Sequence, residues 1–342
     1  MNRIPTLDGW RGIAILLVLF DHGQAALIRG YLYPWVQTGQ HGVTIFFVLS
    51  GFLITTKLLE GPIDLKRFYV RRFFRLLPAA WAYLAAVLLV GWWCGQNWLS
   101  LPEVASCLLF YRNFIGSWTS TIFAGHFWSL SMEEQFYIVW PTVLVLAGIR
   151  KARGLAVAGV LACALFRQLN WSHYDHMGIS FQTQVRADSL LIGCLLALWL
   201  STPAHRLAAI KWTRYSALPA LAVLLFCIAK FPWLPPLAEC IAISVLIAAS
   251  TLHPDSIFSR ALSLRPLAWL GTVSYSVYVW QQFFFVARTH TATIAMMCVM
   301  PIFALSSYYF IERPATRFGH RLTSGHARNI PERNPAVALA EA

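Results

Sequence analysis

The sequence predicts an all-α, polytopic membrane protein: a helical bundle of about ten transmembrane helices with both termini in the cytoplasm. Three observations carry this. Of 342 residues, 58% are apolar and 12% charged, where soluble domains have about 45–50% and about 25%. The mean hydropathy is +0.58. The basic residues also segregate to alternate loops. A soluble or disordered chain is excluded, because a water-facing surface needs far more charge.

A helix needs about 20 mostly apolar residues to cross a bilayer core. Ten runs qualify, at about 10–28, 42–58, 78–94, 128–149, 154–169, 184–200, 215–231, 236–252, 268–287 and 291–311. Residues 103–117 are apolar but short and carry Arg112 and Asn113, which suits a re-entrant or interfacial piece. The stretch 231–236, with three prolines, separates the seventh and eighth runs.

With the N-terminus inside, the cytoplasmic loops hold 20 Lys+Arg and the opposite side holds 5, namely Arg29, Arg112, Arg167, Lys230 and Arg288. This satisfies the positive-inside rule. The formal net charge of +13 would suggest nucleic acid in a soluble protein. Here it reads as a topology signal, and no nucleic-acid partner is expected. Arg11, Asp21 and His22 in the first run do not suit a cleavable signal peptide. Residues 1–320 read as one transmembrane domain and the polar 321–342 as a flexible cytoplasmic tail. The seven cysteines form no CxxC pair, and those in apolar runs read as small core residues.

Ionisable groups inside spans are expensive, so each is a functional candidate. Arg11 and His22 are 11 residues apart, about 20° from three full turns, so they share a face with about 16 Å of rise between them. Asp8 is placed to cap that helix. His22 titrates near neutral pH and is the best general base on offer. By depth alone, His22, Glu133, Glu134, Arg186, Asp188 and Gln281 fit one cavity in the outer half. Blander readings stay open: a structural ion pair of Arg186 with Asp188 or a glutamate, glutamates that only pack helices, and a histidine merely hydrogen-bonded in the bundle. His173 and His176 lie in a loop with no further clear ligand, so no metal is expected.

The stretch Asp64–Pro78 places Arg67, Arg71 and Arg75 at i, i+4 and i+8, which predicts a basic amphipathic helix lying on the cytoplasmic face. It serves either attraction to anionic lipid or recognition of ligand phosphates, which arginine binds bidentately.

At these residues the sequence resembles the membrane-bound acyltransferase-3 family, whose members O-acylate bacterial glycans. Leu7-Asp8-Gly9-Trp10-Arg11 with His22 resembles the first span and its R-x10-H motif. The segment from Gly42 to Ile54 resembles the second, and Arg72-Phe-Phe-Arg75 the R-x-x-R element. Trp128-Ser129-Leu-Ser131-Met-Glu133-Glu134-Gln-Phe136-Tyr137 is similar to its internal signature. Arg186-Ala-Asp188, the run from Leu270 to Trp280, and Glu312-Arg-Pro314 follow in order. Many relatives have histidine where this chain has Gln281, which leaves His22 as the principal candidate. The hydrolase-like domain fused to some relatives is not expected in this chain, so an acceptor would be acylated directly or through a separate protein.

The resemblance implies acetyl-CoA, or another acyl-CoA, as a cytosolic co-substrate with no permanently bound cofactor, and a glycan or lipid-linked saccharide as acceptor. It implies a bacterial inner membrane. On this reading His22, Arg11, Glu133 and Glu134 form the catalytic set, the glutamates orienting His22 or binding sugar hydroxyls. Arg71, Arg72, Arg75 and Arg11 take the CoA phosphates, and the pantetheine arm runs along the first span towards His22. Trp128, Ser131, Arg186, Asp188, Tyr275 and Gln281 receive the acceptor. Membrane lipids are further partners, and the oligomeric state stays open. Two rivals compete: a transporter or flippase for a lipid-linked glycan, and a non-catalytic scaffold.

Overall fold

A computed structural model describes residues 4–28, 38–61, 63–115, 122–170, 179–229, 236–285 and 290–324. Among them every regular element is helical. In chain order these are α1 (Pro5–Ile28), α2 (Gly39–Leu59), α3 (Leu65–Trp93), α4 (Leu101–Leu108), α5 (Phe127–Leu169), α6 (Thr183–Leu200), α7 (Pro203–Ile228), α8 (Pro236–Leu252), α9 (Ile257–Leu262), α10 (Arg265–Phe284), α11 (His290–Ser307) and α12 (Arg313–Ser324). A π-helical turn, Tyr308–Glu312, joins the last two. Four stretches are long and apolar enough to cross a membrane: α2, α3, α6 and Thr291–Ser324. The expected runs fall within helices, but α3 begins at Leu65 rather than about 78 and α7 at Pro203 rather than about 215. Residues 321–324 of the expected tail 321–342 are the last turn of α12, with Thr323 buried; the rest of that tail, residues 231–235 of the proline-rich break and the His173–His176 loop lie outside the described residues.

Local structure departs from expectation in four places. First, the arginine-rich stretch is not a separate surface helix. It is the first half of α3, which Asp64 caps by accepting a hydrogen bond from the Arg67 amide at 2.9 Å, and which continues through Pro78. Proline removes one donor there, and the packing of α3 carries the helix past it. Second, α1 begins at Pro5, so Asp8 sits in its first turn, where the helix dipole favours a carboxylate, rather than at the cap. Third, the fourth and fifth runs form α5, broken at Gly148, whose φ of 67° and ψ of 168° suit glycine. Fourth, Arg112 and Asn113 are buried rather than interfacial, 1% and 2% exposed. Ser131 Oγ accepts from the Arg112 amide at 3.2 Å, and Asn113 Nδ2 donates to Thr183 Oγ1 at 2.9 Å.

Helix α1 packs between α2 and α10. One side of it, with Ile15 and Val18, enters a core with Phe47, Tyr83, Trp128 and Tyr278. The other, with Leu7, Trp10 and Ala14, enters a core built on α2, α6 and α8. The α2–α6 crossing depends on Gly51 and Gly193. A Cβ on Gly51 would overlap the Leu190 carbonyl oxygen, and one on Gly193 the Val48 carbonyl oxygen. Small residues of this kind let membrane helices approach closely. Gly193→Leu is therefore expected to cost about 3 kcal/mol, the upper end of overpacking penalties. Thermal unfolding in detergent checks this, and an unchanged midpoint would contradict the crossing.

Candidate functional site

The ionisable groups settle into two stations and a side cluster. The lower station centres on Arg72. Its Nη2 lies 3.6 Å from Glu133 Oε2 and its Nε 3.5 Å from Glu134 Oε1, with all three side chains only 15–17% exposed. The guanidinium carbon sits 3.5 Å above the centre of the Tyr137 ring. Tyr137 follows Glu133 by four residues, so both face the same way from α5. Ser50 Oγ donates to Glu133 Oε1 at 2.7 Å, completing the carboxylate's coordination from α2. Ion pairs this deep need such additional hydrogen bonds to offset desolvation.

Arg11 and Arg75 stand beside this group. Arg11 is within electrostatic reach of Arg72, Arg75, Asp8 and Tyr137. Both arginines are within reach of Glu312, 6% exposed, which closes the π turn and accepts from Ser276 Oγ at 2.6 Å. A π turn rotates the following residues relative to an α-helix, and such turns often mark functional sites. Tyr275 donates to the Leu76 carbonyl at 2.7 Å and so ties α10 to α3. Arg71 stands apart, with its Nε donating to Thr323 Oγ1 at 2.7 Å, and anchors α12 on α3.

The upper station lies about 16 Å along α1. His22 Nδ1 and Gln281 Oε1 are 2.7 Å apart. Gln281 is fully buried, and its Nε2 donates to Gln282 Oε1 at 3.3 Å, which orients the amide with its oxygen towards His22. The imidazole then carries its proton on Nδ1 and leaves the Nε2 lone pair free, the tautomer a general base or nucleophile needs. Phe285 flanks the ring at 6.4 Å between centres. His126, 3% exposed, lies within electrostatic reach of His22.

Three sequence expectations change. Glu133 and Glu134 do not orient His22; they hold Arg72, and Gln281 holds His22. Arg72 starts seven residues into α3, and Glu133 six residues into α5. On helices entering from opposite ends, about 10 Å of rise each and two long side chains let them meet mid-bundle. Arg186 and Asp188 do not pair with each other, since i and i+2 point to opposite sides of a helix. Asp188 instead pairs with Arg167 at 2.6 Å, and Arg186 lies 5.8 Å over the Trp128 ring. Finally, the face of α1 between Arg11 and His22 is not an open groove: Ile15 and Val18 there are 0% and 1% exposed.

Ser131 is engaged with the Arg112 amide. Trp128 is packed edge-on between Phe47 at 5.9 Å and Phe181 at 4.8 Å. Residue-by-residue reasoning assigned no role to Ser50, Tyr137, His126 or Glu312. All but His126 fall inside the motif stretches quoted above, and His126 lies two residues before one.

A helical, apolar chain that buries several arginines, glutamates and histidines within one bundle defines a class: membrane proteins with an internal polar site. Within that class the chain belongs to the acyltransferase-3 family, whose acyltransferase domain matches residues 4–312. YrhL of Bacillus subtilis, provisionally named a peptidoglycan O-acetyltransferase, is 34% identical over 93% of this chain and 56% of its own. The peptidoglycan O-acetyltransferase OatA of Listeria monocytogenes is 29% identical over 92% of this chain and 56% of its own. The chain thus spans just over half the length of these curated relatives. No solved structure matches it.

Proposed function

We propose that the chain is a transmembrane O-acyltransferase that moves an acetyl group from cytosolic acetyl-CoA to a glycan hydroxyl beyond the membrane. The relatives' names point to peptidoglycan as the acceptor. The observation that carries the reading is the His22–Gln281 hydrogen bond, which leaves Nε2 free, on the helix face that also bears Arg11. The reading includes about ten spans, both termini in the cytosol, a bacterial cytoplasmic membrane, and one working domain that runs through α12 to Ser324, four residues beyond the expected 320.

His22 Nε2 either removes the acceptor's hydroxyl proton while the oxygen attacks the thioester, or attacks the thioester itself and carries the acyl group. Arg11, about 16 Å along α1 from His22 and beside Arg75, positions the donor at its phosphate-bearing end rather than at the thioester. Arg75, on the same helix face as Arg71, takes the donor's phosphates, and Arg72 acts through the glutamates that hold it. Arg186 offers a sugar a cation, and Trp128, packed between Phe47 and Phe181, seats that cation over its ring. Asp188, Ser131 and Tyr275, each engaged within the protein, shape the site without contacting the acceptor.

The test is purified protein in lipid nanodiscs with acetyl-CoA and soluble peptidoglycan fragments. Thiol release that depends on the fragments, with an acetyl ester found on them by mass spectrometry, is the expected result. Flipping of a lipid-linked saccharide without thiol release would replace this reading with a transporter.

A further inference from the structure

His126 ends the segment leading into α5, and its environment is unusual for a structural histidine. Its ring is boxed by Phe127 at 4.9 Å, Tyr83 at 5.2 Å and Tyr278 at 5.7 Å. Its carbonyl oxygen accepts from Ser129 Oγ at 3.1 Å and Tyr278 OH at 3.2 Å, so the backbone is pinned. Yet neither ring nitrogen meets hydrogen-bond geometry, although the Val279 backbone on α10 lies close enough to interact with the ring. A buried polar group without a partner costs about 1–3 kcal/mol, and in a native fold it asks for an explanation. Helix α10 relates this ring to His22. Tyr278, which touches His126, and Gln281, which holds His22, are one turn apart on the same helix face.

The chemistry supplies a reason for two imidazoles. On the acyl-transfer reading given above, a route through acyl-His22 disables His22 as a base, because Nε2 carries the acyl group and Nδ1–H is held by Gln281. The second half-reaction then needs another base. We propose that His126 is that base and accepts the glycan's hydroxyl proton as the acyl group leaves His22. In the first half-reaction Nε2 attacks the thioester carbon, the N–C bond forms, the C–S bond breaks, and the electron pair leaves with sulfur as CoA thiolate. In the second, His126 takes the O–H proton, the oxygen attacks the acyl carbon, the C–O bond forms, and the C–N bond breaks with its pair returning to Nε2. The proton passes from His126 to solvent on the acceptor's side, and the released thiolate takes a proton from the cytosol. The sum is thioester plus alcohol giving ester plus thiol.

The experiment follows the two halves separately in the purified full chain, using carbonyl-labelled acetyl-CoA and peptidoglycan fragments. His126→Gln and His126→Phe are expected to release about one equivalent of CoA and to retain label on the His22 peptide. Ester formation should fall about 10²–10⁴-fold, the range for loss of a general base. Free imidazole is expected to restore part of it in His126→Gly. Ester formation at the wild-type rate overturns the proposal. Equal loss of the CoA burst and of ester in both His126→Gln and His126→Phe also overturns it, by assigning His126 to structure. His126→Gln decides the case should the phenylalanine variant not insert. If the wild-type protein releases no CoA at all, the acyl-transfer reading falls instead, so the two failures are distinct.

Discussion

His22→Ala is expected to reduce acetyl transfer by about 10²–10⁴-fold while leaving the helices assembled. The magnitude follows from what the side chain supplies, a nitrogen lone pair whose tautomer is set by Gln281 at 2.7 Å. Alanine removes the base and also strands a fully buried amide oxygen, which costs about 1–3 kcal/mol of stability. The two effects separate by measurement: the unfolding midpoint reports the second, and turnover of folded protein the first. Gln281→Leu removes the orienting partner but keeps the imidazole, so its turnover should lie between wild type and His22→Ala. A correctly inserted His22→Ala that transfers acetyl at the wild-type rate would remove His22 from the mechanism.

Arg72→Met is the second large effect, and its primary signature is stability. Glu133 and Glu134 share one guanidinium, and all three are largely buried. Breaking such a pair by removing one partner costs about 3–5 kcal/mol, because uncompensated charge is left in low dielectric. The cost should therefore belong to the glutamates. Adding Glu133→Gln and Glu134→Gln to Arg72→Met is expected to recover most of the lost stability, since neutral amides carry no unpaired charge. A thermal-unfolding cycle through these variants measures the coupling. If the triple variant is no more stable than Arg72→Met, the three side chains do not form one electrostatic unit.

The helical class and the apolar runs were legible because they rest on composition and length, which need no tertiary knowledge. The shared face of Arg11 and His22 was legible for the same kind of reason: helical periodicity within one element. What escaped were the pairings. Depth along a helix gives one coordinate, and partners are chosen in the other two. Glu133 and His22 come from comparable depths by residue count, yet Glu133 turns to α3 and His22 to α10. Asp188 meets Arg167 rather than its near neighbour Arg186, because two residues of helix place side chains back to back. The role of Glu312 depends on a π turn, which has no composition signature in Tyr308–Glu312. His126 was overlooked because its interest lies in lacking partners, a property only a folded structure has.

The packed stretch of α1 between the two stations bears on energy coupling in the cell. Ile15 and Val18 fill the line from Arg11 to His22 with hydrocarbon. An ion crossing such a layer faces a steep dielectric penalty, whereas an acyl group is neutral and itself apolar. On the proposed reading, these two side chains let the enzyme export acyl groups without becoming a proton leak.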